Sequence, residues 1–314
     1  MRVALLVLSA VLSALFLDSS AAQQTASSST QASQLMQQSL AALQGNTSIS
    51  DITLTGTARR IAGSDDRAGP AGAQQAPTSM LPSIQQDPQA LAVLQGAFAA
   101  MGGSVPSDST ANGTVTTVAG SQTESGSVII LTRGTDQTSE QIQTPHGSTV
   151  VYSNLQASQV TGSVSIPLSS ELAASSRPLS FPLPQIAAVL NNPDSGYLYV
   201  GLESLNGLKA HHLRYWNSFN AQPRFQFLAE FTLTDIWIDA VSGLPQRISQ
   251  IQRAGRASEP RIQLDTYLSN YQKVSGVLYP FSIQKSLNGS PWISITITNV
   301  TFNTGLTDAN FVLQ

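Results

Sequence analysis

The sequence predicts a mainly β (α+β) fold: a curved antiparallel sheet forming an incomplete β-barrel wrapped around two or three helices. Three observations lead there. From residue 113 onward the chain is a succession of short, β-branched runs bounded by Gly, Asn, Ser or Pro. The runs arrive one after another through tight turns, which favours antiparallel neighbours in a meander. Helical segments are too few to cover an open sheet, so curving the sheet around them is the economical way to bury one face.

Taken in order, the chain opens with "MRVALLVLSAVLSALFLDSSAAQQ", in which Arg2 precedes an apolar core and Ser20, Ala21 and Ala22 follow it. This is the pattern of a secretory signal over residues 1–22, its apolar run falling short of the ~20 residues that span a bilayer. Residues 23–30 are a Ser/Thr/Gln-rich lead-in to a single domain over 31–314. "QASQLMQQSLAALQG" places Leu35, Met36, Leu40 and Leu43 on one helical face, and "SDITLTGTARRIAG" (50–63) reads as a strand. A Gly/Pro/Gln-rich loop over 63–86 leads to the clearest helix, "DPQALAVLQGAFAAMGG". There Asp87 suits the N-cap, Pro88 the first helical position and Gly102 the position just past the end. Leu91, Leu94, Phe98 and Met101 form its apolar stripe and are lid or plug candidates. Residues 103–112 read as a second loop, making about 70–112 a loop-helix-loop insertion.

"GTARRIAGSDDRAG" (56–69) and "GTVTTVAGSQTESG" (113–126) echo each other, as a duplicated strand or as chance likeness among Gly/Ser/Thr turns. Strands are expected at "GTVTTVAG", "GSVIILTRG", "TSEQIQT", "STVVYSN" and "GSVSIPL". "RPLSFPLPQIAAVLNNPDSG" interrupts them, with a short helix expected over 184–190 lying across the sheet. Strands resume with "GYLYVGLESL" and run to "WISITITNVTFN". Within them "RFQFLAEF" alternates, setting Phe225, Phe227, Ala229 and Phe231 on one strand face.

Four stretches in the last third resemble the LolA/LolB-like family of periplasmic lipoprotein carriers and outer-membrane lipoprotein-sorting-like proteins. They are "YVGLESLNGLKAHHLRYW" (199–216), "IWIDAVSGLPQRI" (236–248), "YLSNYQKVSGVLYPFSI" (267–283) and "ISITITNVTFNTGLTDANFVL" (293–313). The resemblance implies an incomplete barrel with helices in its mouth, an apolar cavity for acyl chains and a closing segment with a buried Phe311. In it "IWIDAVSGLPQRI" is one hairpin of the wall, turned at Asp239 and Gly243. The resemblance also implies an arginine that holds the helical lid, for which Arg59, Arg60 and Arg67 are candidates.

The function expected is that of an exported, non-enzymatic protein that carries or senses a lipid or acyl ligand. The alternative is an envelope interaction module whose cavity is filled by its own side chains. Cavity candidates are Tyr197, Tyr199, Phe225, Phe227, Phe231, Trp237 and Trp292. Partners expected are lipid or lipoprotein acyl chains, with an envelope protein in the alternative, and no transmembrane anchor after signal cleavage. A net charge of −3, without a basic block, argues against nucleic acid. With no cysteine there is no disulfide, thiolate nucleophile or Cys-ligated zinc. His211 and His212 are adjacent, so on a strand they face opposite sides and cannot share a metal. Asp235 and Asp239 share a strand face but stand ~13 Å apart, too far for a catalytic carboxylate pair. No Gly-x-Ser-x-Gly elbow appears, so neither a catalytic residue nor a cofactor is assigned.

Overall fold

Thirteen strands in one continuous antiparallel ladder make up the wall of the protein in a computed structural model that describes residues 84–253 and 261–314. The expected signal, the 35–43 helix face, the 50–63 strand, Arg59, Arg60 and Arg67 and the first copy of the echo lie outside the described residues. Helix α1 (Pro88–Ala100) comes first, capped as expected: Asp87 Oδ1 accepts from the Gln89 and Ala90 amides at 2.7 and 3.2 Å. Strands β1 (Asp108–Ala119), β2 (Gln122–Arg133), β3 (Gln137–Gln143), β4 (Ser148–Ser153), β5 (Gln156–Thr161) and β6 (Val164–Leu168) follow as hairpins. Two short helices, α2 (Ser170–Ser175) and α3 (Leu183–Asn191), bridge to β7 (Ser195–Leu205) and β8 (Leu208–Asn217). A 3-10 helix (Pro223–Phe231) precedes β9 (Thr234–Asp239), β10 (Pro245–Gln252), β11 (Ile262–Val274), β12 (Val277–Leu287) and β13 (Ser290–Phe302). The ladder runs β6-β5-β4-β3-β2-β1-β13-β12-β11-β10-β9-β8-β7, so β1 pairs with β13 and the outermost strands are β6 and β7, the latter bridged in parallel by Gln86 at Tyr197.

One long-range ion pair shows that this sheet is rolled. Lys285 on β12 and Glu140 on β3 stand four ladder steps apart, about 19 Å across a flat sheet at about 4.8 Å per step. Yet Lys285 Nζ donates to both Glu140 oxygens at 2.6 Å. Lys285 shares its strand face with Tyr279, Phe281 and Ile283, which belong to the main core, so the pair spans the concave side. The core fills that concavity with Val115, Ile130, Tyr197, Leu213, Ile236, Ile248 and Ile295 from strands on both flanks, packed on α1 and α3. A second cluster sets Phe311 against Leu131 and Val151 on the opposite face, so the closing segment covers the outside of the wall, with Phe311 buried as expected.

Helix α1 occupies the centre. Ala90, Leu94, Ala97 and Met101 are wholly buried, while Leu91 and Phe98 pack at the flanks of that stripe. The stripe is thus part of the core. Its C-terminal end presses on the β11–β12 turn, where the Leu278 amide donates to the Met101 carbonyl at 2.9 Å. Gly102, at φ 120°, fits there because a Cβ would come within 2.8 Å of the Gly276 oxygen.

Two segments differ from expectation. "RFQFLAEF" is a 3-10 helix: β8 and β9 already pair with each other, Tyr215 opposite Thr234, so the chain between them has no place in the ladder. Pro223 also suits the first turn of a helix. Residues 108–112, read as loop from their Ser/Asn/Gly content, begin β1 and pair with both β2 and β13. The described part of the expected insertion therefore supplies a core helix and an interior strand. The short helix expected at 184–190 is present as α3, and the hairpin of "IWIDAVSGLPQRI" is β9–β10. In its turn Gly243 takes φ 71° and Asp239 Oδ1 accepts from the Val241 and Ser242 amides at 3.2 and 2.6 Å. Burial alone would raise the Asp239 carboxyl; hydrogen bonds from Ser242 and Val241 more than offset it and hold it below its ordinary value.

Candidate functional site

Because β6 and β7 do not pair, the rolled wall has a seam, and α2, α3 and the 3-10 helix fill it. Ser175 on α2 ties to the end of β10: its hydroxyl donates to the Arg253 carbonyl at 3.3 Å and accepts the Arg253 amide at 3.1 Å. Arg253 in turn donates to the Glu230 carbonyl and carboxylate at 3.0 and 3.1 Å and lies 4.5 Å over the Phe231 ring.

The filling is incomplete. A cavity of about 550 Å³ remains between the β4–β5 hairpin, α2, α3 and the neighbouring ends of β7, β8 and β9. Its apolar surface comes from Leu155, Ala173, Ala188, Val189, Trp216 and Phe219, and its polar surface largely from amides such as Gln185, Asn192, Asn217 and Gln250. Arg177 and Asp136 are the charged residues of the lining. Two buried phenols flank it. Burial pushes Tyr152 up to about 12 against the pull of its Ser176 hydrogen bond, and pushes Tyr215 well up as well. The Trp216 indole is pressed over Gly196, where a Cβ would fall 2.1 Å from the ring.

A smaller cavity of about 180 Å³ lies on the other side of Tyr152, which lines both. At its base is the Lys285–Glu140 pair, with Ser180 Oγ donating to Glu140 Oε2 at 3.2 Å. Leu168, Leu264, Trp292 and Ile293 supply apolar lining.

None of the seven predicted cavity residues lines the larger cavity, and only Trp292 lines the smaller one. Tyr197 is buried in the core and Tyr199 packs on its margin, bonding His211 Nδ1 at 3.0 Å. Phe225 packs with Phe219 and Leu228 beside the seam, Phe231 is buried under Arg253, and Phe227 is 43% exposed. Their supposed common face disappears with the strand that was to carry it.

Trp237 lies on the outer face, opposite the core residues Ile236 and Ile238. It is held between the His212 ring at 4.1 Å and the Arg247 guanidinium at 4.3 Å, and its Nε1 donates to Glu203 at 2.8 Å. His212 bridges Glu203 and Asp235 at 2.8 and 3.0 Å, and Arg214 holds Asp235 through two bonds. Hydrogen bonds from Trp237 and then His212 keep the Glu203 carboxyl below its ordinary value. Asp235 and Asp239 are thus engaged in separate networks, and His211 and His212 face opposite sides. The signal missed in the sequence is the pair of Ala-Ala steps in "ELAASS" and "IAAVL", whose small side chains leave the seam unfilled.

No protein-family model and no curated protein matches the sequence. Solved structures do resemble it. One is an outer membrane lipoprotein-sorting protein domain from Vibrio parahaemolyticus, 12% identical, covering 71% of this chain and 96% of its own, at a TM-score of 0.49. Others are a LolA superfamily protein from Nitrosomonas europaea (17% identity, 71% and 97% covered, TM-score 0.47) and a DUF1329 family protein from Desulfovibrio piger (15%, 73% and 100%, 0.46). The curved antiparallel sheet around helices that the LolA-like resemblance implies is the architecture observed.

Proposed function

We propose that this chain is an exported, non-enzymatic protein that carries or senses a lipid or acyl ligand, held in the seam and not at the centre of the sheet. The observation that supports this is volume. The centre is filled by α1, whereas the seam keeps about 550 Å³, within the range of sites that take one small ligand. Its apolar side chains would bind by burial, worth about 25 cal/mol per Å², and its amides would orient the ligand. Release would need α2 to move, and α2 is tied to β10 mainly through Ser175.

Native mass spectrometry with lipid extraction, on protein purified from its own cell envelope, tests the reading. A stoichiometric acyl adduct is expected in the wild type, lost in Ala188→Trp, which fills the cavity, and kept in Phe227→Asp at the surface. A mass that stays bare after mixing with envelope lipids would remove the proposal.

A second reading, an envelope interaction module, draws on the self-filled centre and on β6, the last strand of the described ladder, where Val164 and Ile166 are 43% and 56% exposed. Under it, Ile166→Lys would abolish crosslinking to one defined envelope protein in cells, while Ala188→Trp would not.

A further inference from the structure

We propose that the seam cavity selects single-chain amphiphiles with an acid head, a carboxylate or a phosphate monoester, and that Arg177 is the group that reads the head. This rests on the cavity being the ligand site. Arg177 stands in the link between α2 and α3 and lines both the seam cavity and a small pocket beside it.

Its bonding is unusual for this protein. Nη1 donates to the Thr135 carbonyl at 2.7 Å, while Nη2 is 3.7 Å from Asp136 Oδ1, beyond hydrogen-bond range. A guanidinium carries five N–H donors, so four remain unmatched here. The side chain is 20% exposed and lines the cavity. Arg247 and Arg253, at 20% and 13% exposure, each hold a carboxylate at 2.9 and 3.1 Å. Arg177 has comparable burial, but its ion pair, with Asp136, is longer, at 3.7 Å. Asp136, 61% exposed, stands aside from it.

The surroundings point the same way. Arg177 is the one cation of the lining, and its charge reaches Tyr152 on β4 and Tyr215 on β8, which places it between the two walls of the seam. A second donor of the wall, Trp216 Nε1, is buried without a partner. A carboxylate or phosphate brings two or three acceptor oxygens in the planar spacing that a guanidinium matches. Leu155, Val189 and Phe219 then provide apolar wall for a tail.

The test is equilibrium binding to the delipidated full chain, with myristic acid, myristyl phosphate, myristyl alcohol and inorganic phosphate as probes. The two acids are expected to bind about ten- to a hundredfold more tightly than the alcohol. Arg177→Met should bring both down to the level of the alcohol and leave the alcohol unchanged, while Arg177→Lys should keep part of the preference. Acid and alcohol binding the wild type alike, or an undiminished acid preference in Arg177→Met, would overturn the assignment of the head while leaving the cavity reading intact. Inorganic phosphate binding as tightly as myristyl phosphate would replace the amphiphile with a free anion. Should no alkyl probe bind, the cavity reading itself fails. The wild-type comparison needs no variant, so a misfolded Arg177→Met does not blunt the test.

Discussion

Replacing Lys285 by Met should cost this protein much of its stability, and restoring apolar balance at Glu140 should return most of it. Lys285 and Glu140 are 6% and 8% exposed, and both carboxylate oxygens are engaged at 2.6 Å. Lys285→Met leaves a carboxylate inside the rolled sheet with Ser180 Oγ, 3.2 Å away, as its remaining donor. Stranding one member of a buried pair costs about 3–5 kcal/mol, against about 5–15 kcal/mol for a whole domain. For a domain of this size that lowers Tm by roughly 6–20 °C. Urea unfolding followed by tryptophan fluorescence reads the loss. Lys285→Met with Glu140→Leu removes both charges and should recover to within about 1 kcal/mol of wild type. A single variant losing less than about 1 kcal/mol, or a double variant no better than the single, would show that water reaches the pair and that the sheet is not rolled tightly around it.

Leu94→Ala empties part of the core stripe of α1, where Leu94 is wholly buried, and should cost about 2–5 kcal/mol in the same urea assay. Asp108 binds the closing segment through the Thr304 amide and hydroxyl at 2.6 and 2.8 Å and the Gly305 amide at 3.0 Å, so Asp108→Ala should cost about 2–4 kcal/mol and expose the C-terminal residues to protease. Burial alone would raise the Asp108 carboxyl, yet its hydrogen bonds with Thr304, Gly305 and Leu306 hold it below 3.8. Its contribution is therefore complete above that value and fades as pH falls through the lower folded one, so the difference between wild type and Asp108→Ala should shrink in acid titrations. Trp237→Phe keeps a ring between His212 and Arg247 but removes the indole donor to Glu203, which keeps its bond to His212, costing about 0.5–1.5 kcal/mol by urea unfolding while leaving any lipid adduct unchanged.

The antiparallel succession of hairpins, the Asp87–Pro88 helix start and the Asp239–Gly243 turn were legible in the sequence, because each depends on neighbouring residues or on a period of two, whereas the buried Phe311 was implied by the family resemblance and the β1–β13 pairing was not foreseen. The cavity was not. Alternation in "RFQFLAEF" carries no information about whether a ladder position is vacant, and the direct pairing of β8 with β9 leaves none. Trp237 illustrates a second limit. In "DIWID" the period assigns Trp237 and the two isoleucines to opposite faces, and the stack between His212 and Arg247 supplies burial for the cavity candidate Trp237 on the outside. Likewise "DSTANG" has the composition of a loop, yet two flanking strands satisfy its backbone on both sides.

The place of the cavity follows from the topology. Among the described residues the rolled sheet pairs at every step but one, and that opening is covered by two helices of six and nine residues beside the 3-10 helix. Short helices present few side chains, and these two turn Ala173, Ala174, Ala187 and Ala188 toward the gap. At the centre the reverse holds: α1 is thirteen residues long and buries Leu94 and Met101 completely. Space for a ligand therefore arises where the ladder is interrupted and the covering residues are small. The guanidinium of Arg177 stands at that interruption, where donors without a hydrogen bond and unfilled volume coincide, and the head-group comparison tests the two together.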